Sequence, residues 1–221
     1  MRTVQSDNLI VEIPEGFIVF ISGVPGVGKT TISYELFRRF NAFRIIEETD
    51  LIREVLRGYN SYLEQEFPIQ SRDILERIRI TDHNKLLSLE EAKQQCSFMR
   101  SSFEYIIERQ KRKGIPSIIN GVHIVPEALN GLANNQNMIY INLYIHSEKV
   151  LYSRLANRNP ESYMINHVPF IYQTNIDLYA STERLSHEFP YVFNNIDVTE
   201  LSIEETLSRI TKLICSLVDR N

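Results

Sequence analysis

The chain has 221 residues, of which 43% are apolar and 24% charged, with a formal net charge of −4. This length is typical of one domain, which buries about 70% of its unfolded surface without a disulfide or metal staple. The negative charge argues against a nucleic-acid coat and against docking on anionic lipid. Two distant cysteines, Cys96 and Cys215, and no early apolar run long enough for a membrane span predict a cytoplasmic protein.

Short apolar runs alternate with longer amphipathic stretches along the chain. The apolar runs predict strands over residues 17–22, 43–46, 116–119, 138–145 and 189–193. The amphipathic stretches predict helices over residues 30–39, 51–57, 88–113 and 147–158, and a last helix from residue 202. We expect the second of these helices to end near Gly58. The order predicts an α/β fold, a three-layer sandwich around a mostly parallel five-stranded sheet.

A glycine-rich segment follows the first predicted strand and precedes a helix. Residues 23–30, Gly-Val-Pro-Gly-Val-Gly-Lys-Thr, match the phosphate-binding pattern G-x-x-x-x-G-K-[ST]. Glycines let backbone N–H groups turn around a phosphate, Lys29 reaches the β- and γ-phosphates, and the Thr30 hydroxyl holds Mg²⁺. The pattern predicts an ATP site with Mg²⁺. Its predicted residues are Gly23, Val24, Pro25, Gly26, Val27, Gly28, Lys29, Thr30 and Thr31.

Other sequence features narrow the class of phosphate-binding protein. The chain has no N-K-x-D guanine-recognition motif, which argues against a GTPase. A motor or an AAA-type ATPase needs an acidic residue after the third strand, where this chain has Asn120. The remaining class is a small-molecule kinase, which needs a carboxylate near the γ-phosphate, cations for an anionic acceptor and a mobile arginine lid.

The residues after the second predicted strand are candidates for binding and activating the acceptor. Asp50 is placed to deprotonate an acceptor hydroxyl and to hold a metal-bound water; alternatively, it is only the N-cap of the next helix. Arg53 and Arg57 lie one turn apart and suit an acceptor carboxylate or phosphate. Their alternative role is a surface ion pair with Glu54.

Two further segments carry candidates. Asn120, Gly121 and His123 follow the third predicted strand, where His123 would hydrogen-bond the acceptor or be purely structural. Arg154 and Arg158 lie four residues apart before a loop, which suggests a lid whose arginines close on the transferring phosphoryl group. Alternatively, they are exposed arginines near a helix end.

Three segments resemble a known family. Residues 24–31, 49–57 (Thr-Asp-Leu-Ile-Arg-Glu-Val-Leu-Arg) and 119–126 (Ile-Asn-Gly-Val-His-Ile-Val-Pro) are similar to the archaeal-type 2-phosphoglycerate kinases. The resemblance implies a nucleoside-monophosphate-kinase-like P-loop fold and transfer of phosphate from ATP to a small hydroxylated acid, with 2-phosphoglycerate as the family's acceptor. Asn120 departs from the family, which carries an acidic residue there.

Together these patterns predict a single domain over residues 1–221, with an acceptor-side helical subdomain over 59–113 and a lid over 157–167. The predicted catalytic residues are Lys29, Asp50, Arg154 and Arg158. The predicted partner is a small anionic metabolite, with neither nucleic acid nor membrane, and the oligomeric state is open. Two alternatives remain: a kinase of another acceptor (a nucleotide, a polynucleotide 5′-hydroxyl, a sugar nucleotide or an antibiotic), or a non-catalytic ATP-binding regulatory module.

Overall fold

A computed structural model describes residues 3–6, 9–66, 88–129 and 137–219. Residues 67–87, the middle of the predicted acceptor-side subdomain, lie outside the described residues. Near the N-terminus, β1 (Thr3–Ser6) and β2 (Leu9–Glu12) form an antiparallel pair that sequence analysis did not predict.

A parallel sheet of five strands forms the centre of the fold. The strands are β3 (Ile18–Ser22), β4 (Ile45–Glu48), β5 (Ser117–Asn120), β6 (Met138–Tyr144) and β7 (Phe193–Asp197). Their order across the sheet is β4-β5-β3-β6-β7. The central strand β3 pairs on both sides, and every one of its residues is at most 1% exposed. Such complete burial explains why its sequence is almost continuously apolar.

Helices cover both faces of this sheet. They are α1 (Lys29–Arg39), α2 (Thr49–Glu66), α3 (Leu89–Arg112), α4 (Pro126–Leu129), α5 (Glu148–Arg158), α6 (Val168–Glu188) and α7 (Ile203–Val218), with a 3₁₀ turn at Tyr163–His167. Helices α1 and α7 contact each other, as do α3, α4 and α6. The predicted three-layer α/β sandwich is confirmed. Both predicted capping boxes, at Ser88 and Ser202, form as expected.

Several predicted boundaries are wrong. Strand β4 lies at Ile45–Glu48 rather than over 43–46, and α2 begins at Thr49 rather than at residue 51. Helix α2 does not end near Gly58 but continues to Glu66, since one glycine inside a helix costs only about 1 kcal/mol. The last strand lies at Phe193–Asp197 rather than over 189–193. Phe189 instead ends α6, and Tyr191 has a φ of 80°, so the backbone turns before the strand begins.

Gly121, directly after β5, lies against the first residue of α2. A Cβ atom added at Gly121 would lie 1.6 Å from the Thr49 Oγ1 atom, closer than any two such atoms can approach. The end of β5 and the start of α2 therefore require a glycine at this position in order to meet.

This contact makes Gly121→Ala a severe substitution. We expect it to lower the free energy of unfolding by at least about 2 kcal/mol, because Thr49 or the backbone must shift. The matched control is Gly58→Ala, where an added Cβ meets nothing within 4 Å and where we expect a gain of up to about 1 kcal/mol. Urea unfolding followed by far-ultraviolet circular dichroism measures both, and equal stabilities of the two variants would contradict the close contact.

Candidate active site

The glycine-rich loop, residues 23–28, connects β3 to α1 at the carboxyl edge of the sheet. Gly23 has a φ of 135°, and an added Cβ would lie 2.4 Å from the Leu143 carbonyl oxygen. Gly28, the N-cap of α1, has a left-handed backbone conformation and no side chain to cap the helix. The first turn of α1 also contains no acidic residue. Uncapped N–H groups and the positive end of the helix dipole suit a phosphate, as the sequence predicted.

Lys29, the first residue of α1, folds back over the loop. Its Nζ donates a hydrogen bond to the Val24 carbonyl oxygen at 2.9 Å. Burial lowers the pKa of Lys29 to about 8, while the nearby Asp50 carboxylate raises it and the Arg158 guanidinium lowers it further. The structure therefore brings three of the predicted catalytic residues into one electrostatic environment.

A cavity of about 330 Å³ lies beside the loop. Gly26, Val27 and Thr31 line one side of it, and Val198 and Leu201 after β7 line the other. Its size falls at the lower end of the range for ligand pockets, and its walls are mostly apolar, which suits a nucleotide base next to bound phosphates.

The two predicted lid arginines lie in different surroundings. Arg154 lines the cavity, and its Nη2 donates to the carbonyl oxygens of Val198 at 2.5 Å and Thr199 at 3.3 Å. Arg154 thus ties α5 to the segment after β7. Arg158 is the exposed last residue of α5, and its charge reaches Lys29. Of the two arginines, Arg158 is the one whose charge acts on Lys29.

A second cluster, formed by four side chains from two other segments, interacts electrostatically with Lys29. Thr49 Oγ1 lies 3.1 Å from Nδ1 of His123, and Arg53 Nη1 lies 3.3 Å from Nε2 of the same ring. The Asp50 carboxylate lies 3.6 Å from both His123 Nδ1 and Arg53 Nη2. Of the predicted acceptor-binding residues, Asp50, Arg53 and His123 therefore form one cluster, in which the Asp50 side chain is 61% exposed.

Two alternatives proposed for these residues can be compared with the structure. Helix α2 begins at Thr49, so Asp50 lies in the first turn rather than at the N-cap. Its carboxylate still faces the positive end of the helix dipole. Arg53 and Arg57 both contact Glu54, at 3.2 and 3.3 Å, and these are the ion pairs that the alternative described.

Asn120, the last residue of β5, is only 3% exposed. Its Nδ2 atom has no hydrogen-bond partner among the residues that the structure describes. A buried donor left without a partner costs about 1–3 kcal/mol, and a bound ligand would remove that cost. Asn120 lies opposite Ile21 of β3 and Glu48 of β4, so this donor is next to the strand that leads into the phosphate-binding loop.

Thr49 is the residue of the cluster that sequence analysis missed. Its partner His123 is 74 positions away, and the pairing depends on the approach of Gly121. Gly121, two positions before the histidine, was the available signal, because a glycine directly after a strand often marks close backbone approach.

The residues present fit a divalent cation bound together with phosphates. Thr30 and Asp50 offer exposed oxygen atoms, the type of ligand that Mg²⁺ prefers, and Mg²⁺ usually takes only one or two protein ligands in addition to phosphates. Across the described part of the chain, no group of three His, Cys, Asp or Glu side chains is arranged to hold a metal on its own. Within the same part, no helix has the length and apolar character needed to cross a membrane.

The burial of His123 predicts a dependence of stability on pH. Burial lowers its pKa from 6.5 to about 4, Asp50 opposes this, and Arg53 and Lys29 add to it. Below pH 6.5 the unfolded chain therefore takes up a proton that the folded chain does not. We expect full stability above this pH and a loss of up to about 3 kcal/mol as the pH falls towards 4.

Urea unfolding between pH 4 and 7 tests this expectation with a matched pair of variants. His123→Gln removes the titrating group, so its stability should vary less with pH than that of the wild type. His187→Gln, at an exposed position near the end of α6, should follow the wild type. Parallel pH profiles for His123→Gln and the wild type would contradict the effect of burial.

Comparison with known proteins adds to this geometry. A family model described as an AAA domain matches residues 19–173, from β3 into α6. The 2-phosphoglycerate kinase of Methanothermobacter thermautotrophicus is 28% identical over an aligned region that covers 92% of this chain and 68% of that protein. That of Methanococcus vannielii is 27% identical over 219 residues, which cover 92% of this chain and 66% of that protein. The chain thus spans about two thirds of the length of these relatives.

Among solved structures, a gluconokinase from Sinorhizobium meliloti 1021 matches with a TM-score of 0.53 and 14% identity, covering 93% of each chain. This match supports the fold alone. The expected resemblance to the 2-phosphoglycerate kinases, and with it the class of P-loop phosphotransferases, is confirmed. The match to an AAA domain model does not make the chain an AAA-type ATPase. The residue after the third predicted strand is Asn120, where such an ATPase needs an acidic residue.

Proposed function

Because this chain belongs to the AAA domain family, we propose that it is an ATP-dependent kinase that phosphorylates a hydroxyl group of a small anionic metabolite. One observation carries the proposal. The uncapped phosphate-binding loop leads directly into Lys29, and the charge of Lys29 interacts with Asp50 and His123 of the cluster that also contains Arg53. A phosphoryl donor on the loop would face an acceptor bound at the cluster, as direct in-line transfer requires.

Each residue near Lys29 has a role in such a transfer. Lys29 and Arg158 stabilise the negative charge that spreads over the transferring phosphoryl group. Asp50, with its exposed carboxylate, orients the acceptor hydroxyl and accepts its proton. Thr30 and Asp50 would hold the divalent cation, Mg²⁺, which neutralises phosphate charge when bound. The cavity lined by Arg154 would receive the nucleotide base.

We assign the acceptor to the class of 2-phosphoglycerate and similar small acids. Arg53, with Arg57 one turn further along α2, supplies positive charge for a carboxylate or phosphate. Asn120 supplies a buried donor without a described partner, and Gly121 allows close backbone approach. The names of the relatives support 2-phosphoglycerate as the first acceptor to test.

We also propose that two segments surround the transfer site. Residues 157–167 form the lid that carries Arg158; they include the end of α5 and the 3₁₀ turn, which contacts α6. Residues 59–113 form the acceptor-side subdomain, to which the second half of α2 and the whole of α3 contribute.

An assay of ADP release tests the function. Mg·ATP is incubated with 2-phosphoglycerate, 3-phosphoglycerate, glycerate, a nucleoside monophosphate and a 5′-hydroxyl oligonucleotide, with Lys29→Met as the blank. We expect turnover with a small acid, best with 2-phosphoglycerate, and a product heavier by one phosphoryl group. Faster turnover with the nucleotide or the oligonucleotide than with any small acid would assign the acceptor to that class instead. ATP binding without turnover of any acceptor would favour the regulatory module.

The two arginines of α5 should respond differently to truncation. We expect Arg158→Ala to lower kcat by about 100-fold or more with little change in ATP affinity, because Arg158 stabilises the transferring phosphoryl group. We expect Arg154→Ala to weaken ATP binding and to cost about 1–3 kcal/mol of stability, because it loses two hydrogen bonds to carbonyl oxygens. Steady-state kinetics and thermal unfolding separate the two effects.

The control for this pair is Arg38→Ala, at an exposed position of α1 paired only locally with Glu35. It should leave kinetics and stability near those of the wild type, since exposed pairs of this kind contribute little. A larger loss of kcat in Arg154→Ala than in Arg158→Ala would reverse the assignment.

A further inference from the structure

His123 is completely buried, although its ring makes polar contacts on both sides. Its Nδ1 atom lies 3.1 Å from the hydroxyl oxygen of Thr49, and its Nε2 atom lies 3.3 Å from a terminal nitrogen of Arg53. The ring therefore lies between the first turn of α2 and the segment after β5. With none of its surface exposed, it is placed behind Arg53 rather than beside a bound acceptor.

The partners of the ring determine where its proton lies. A guanidinium has only donors, so Nε2 must accept a hydrogen bond from Arg53 and cannot carry a proton. The proton of the neutral ring is then on Nδ1, from which it is donated to Thr49 Oγ1. Arg53 thereby fixes the tautomer, and the Thr49 hydroxyl, which can accept or donate, helps to fix the orientation of the ring.

The charged groups around His123 agree with a neutral ring. Arg53 and Lys29 disfavour a positive imidazole, and only the Asp50 carboxylate, at 3.6 Å, favours one. Burial adds the largest effect against the charged form. A charged His123 would also have to direct an N–H group at the Arg53 guanidinium, which the observed contact does not allow.

All three nitrogen atoms of Arg53 have partners. Nε donates to Glu54 Oε1 at 3.3 Å, Nη1 faces His123, and Nη2 lies 3.2 Å from Glu54 Oε1 and 3.6 Å from Asp50 Oδ1. These contacts fix the plane of the guanidinium, while Nη1 keeps a second N–H. Holding a long side chain in place before a ligand arrives lowers the entropic cost of binding.

We propose that Thr49 and His123 are positioning residues that hold Arg53 in the orientation needed to bind an anionic group of the acceptor. The inference rests on the proposed function, since it assigns how the acceptor side of that site is organised. Acceptor affinity thus depends on two side chains that do not touch the acceptor.

Steady-state kinetics with 2-phosphoglycerate test the proposal in an enzyme that turns it over. His123→Leu should raise the acceptor KM about 10-fold or more and leave the KM for ATP within about twofold. His123→Gln, which keeps an acceptor for Arg53 and a donor for Thr49, should recover most of this loss. Thr49→Val should act in the same direction as His123→Leu, and Thr49→Ser should resemble the wild type.

A double-mutant cycle separates positioning from a general loss of structure. In the background of Arg53→Leu, His123→Leu should cause no further rise in the acceptor KM, because there is no guanidinium left to hold. Additive effects of His123→Leu and Arg53→Leu would overturn the proposal. Equal changes in the KM values for ATP and acceptor would also overturn it.

Nitrogen-15 NMR of the imidazole groups gives an answer that needs no turnover, with His123→Gln assigning the signal. We expect the wild-type protein at pH 7 to show a protonated Nδ1 and an unprotonated Nε2 in His123. The Nε2 signal should move in Arg53→Leu and stay in place in Arg38→Leu. A protonated Nε2, or a signal unaffected by Arg53→Leu, would refute the positioning of Arg53.

Failure of the proposed function and failure of this inference give different results. A wild-type protein that turns over no acceptor defeats the proposed function, and the NMR result then decides alone whether His123 holds Arg53. An active wild type with the opposite tautomer defeats only this inference.

Discussion

The candidate site depends on the contact between Gly121 and Thr49. The Gly121 N–H donates to the Ile21 carbonyl oxygen at 3.1 Å, which joins this segment to the strand that leads into the phosphate-binding loop. On its other side, Gly121 allows the first residue of α2 to approach, and Thr49 then reaches His123. One backbone position therefore connects the phosphate-binding half of the site to the acceptor-binding half, and it admits no side chain.

Before a substrate binds, positive side chains at the site interact with neighbouring carboxylates, and this arrangement prepares the site for anions. Lys29 and Arg53 are both close to Asp50, and Arg53 also contacts Glu54. Lys29 is partly deprived of solvent, which is why its pKa falls, and a bound phosphate would restore the preference for its charged form. Binding of two anionic substrates is thus favoured at a place where positive charge is held at a cost in the free protein.

The sequence predicted those features whose causes are local. The phosphate-binding loop, the buried strand before it and the two capping boxes each depend on a few consecutive residues. The contacts that define the acceptor side are not local: Thr49 and His123 are 74 residues apart. The true position of β7 was missed because a turn at Tyr191, rather than hydrophobicity, decides where the strand begins. Gly58 misled for a different reason, since one glycine costs only about 1 kcal/mol and does not end a helix of 18 residues.

Asn120 shows how one residue changes the chemistry of such a site. The resemblance to the 2-phosphoglycerate kinases leads us to expect an acidic residue here, and such a residue would lie opposite Glu48 on the neighbouring strand. Two adjacent carboxylates, one of them buried, repel each other unless a cation or a proton lies between them. An amide removes that repulsion and presents a buried N–H group, a donor that an ionised carboxylate lacks. In the proposed kinase, Asp50 would then carry more of the cation binding on this side, and the Asn120 donor would add to the recognition of phosphate or of the acidic acceptor.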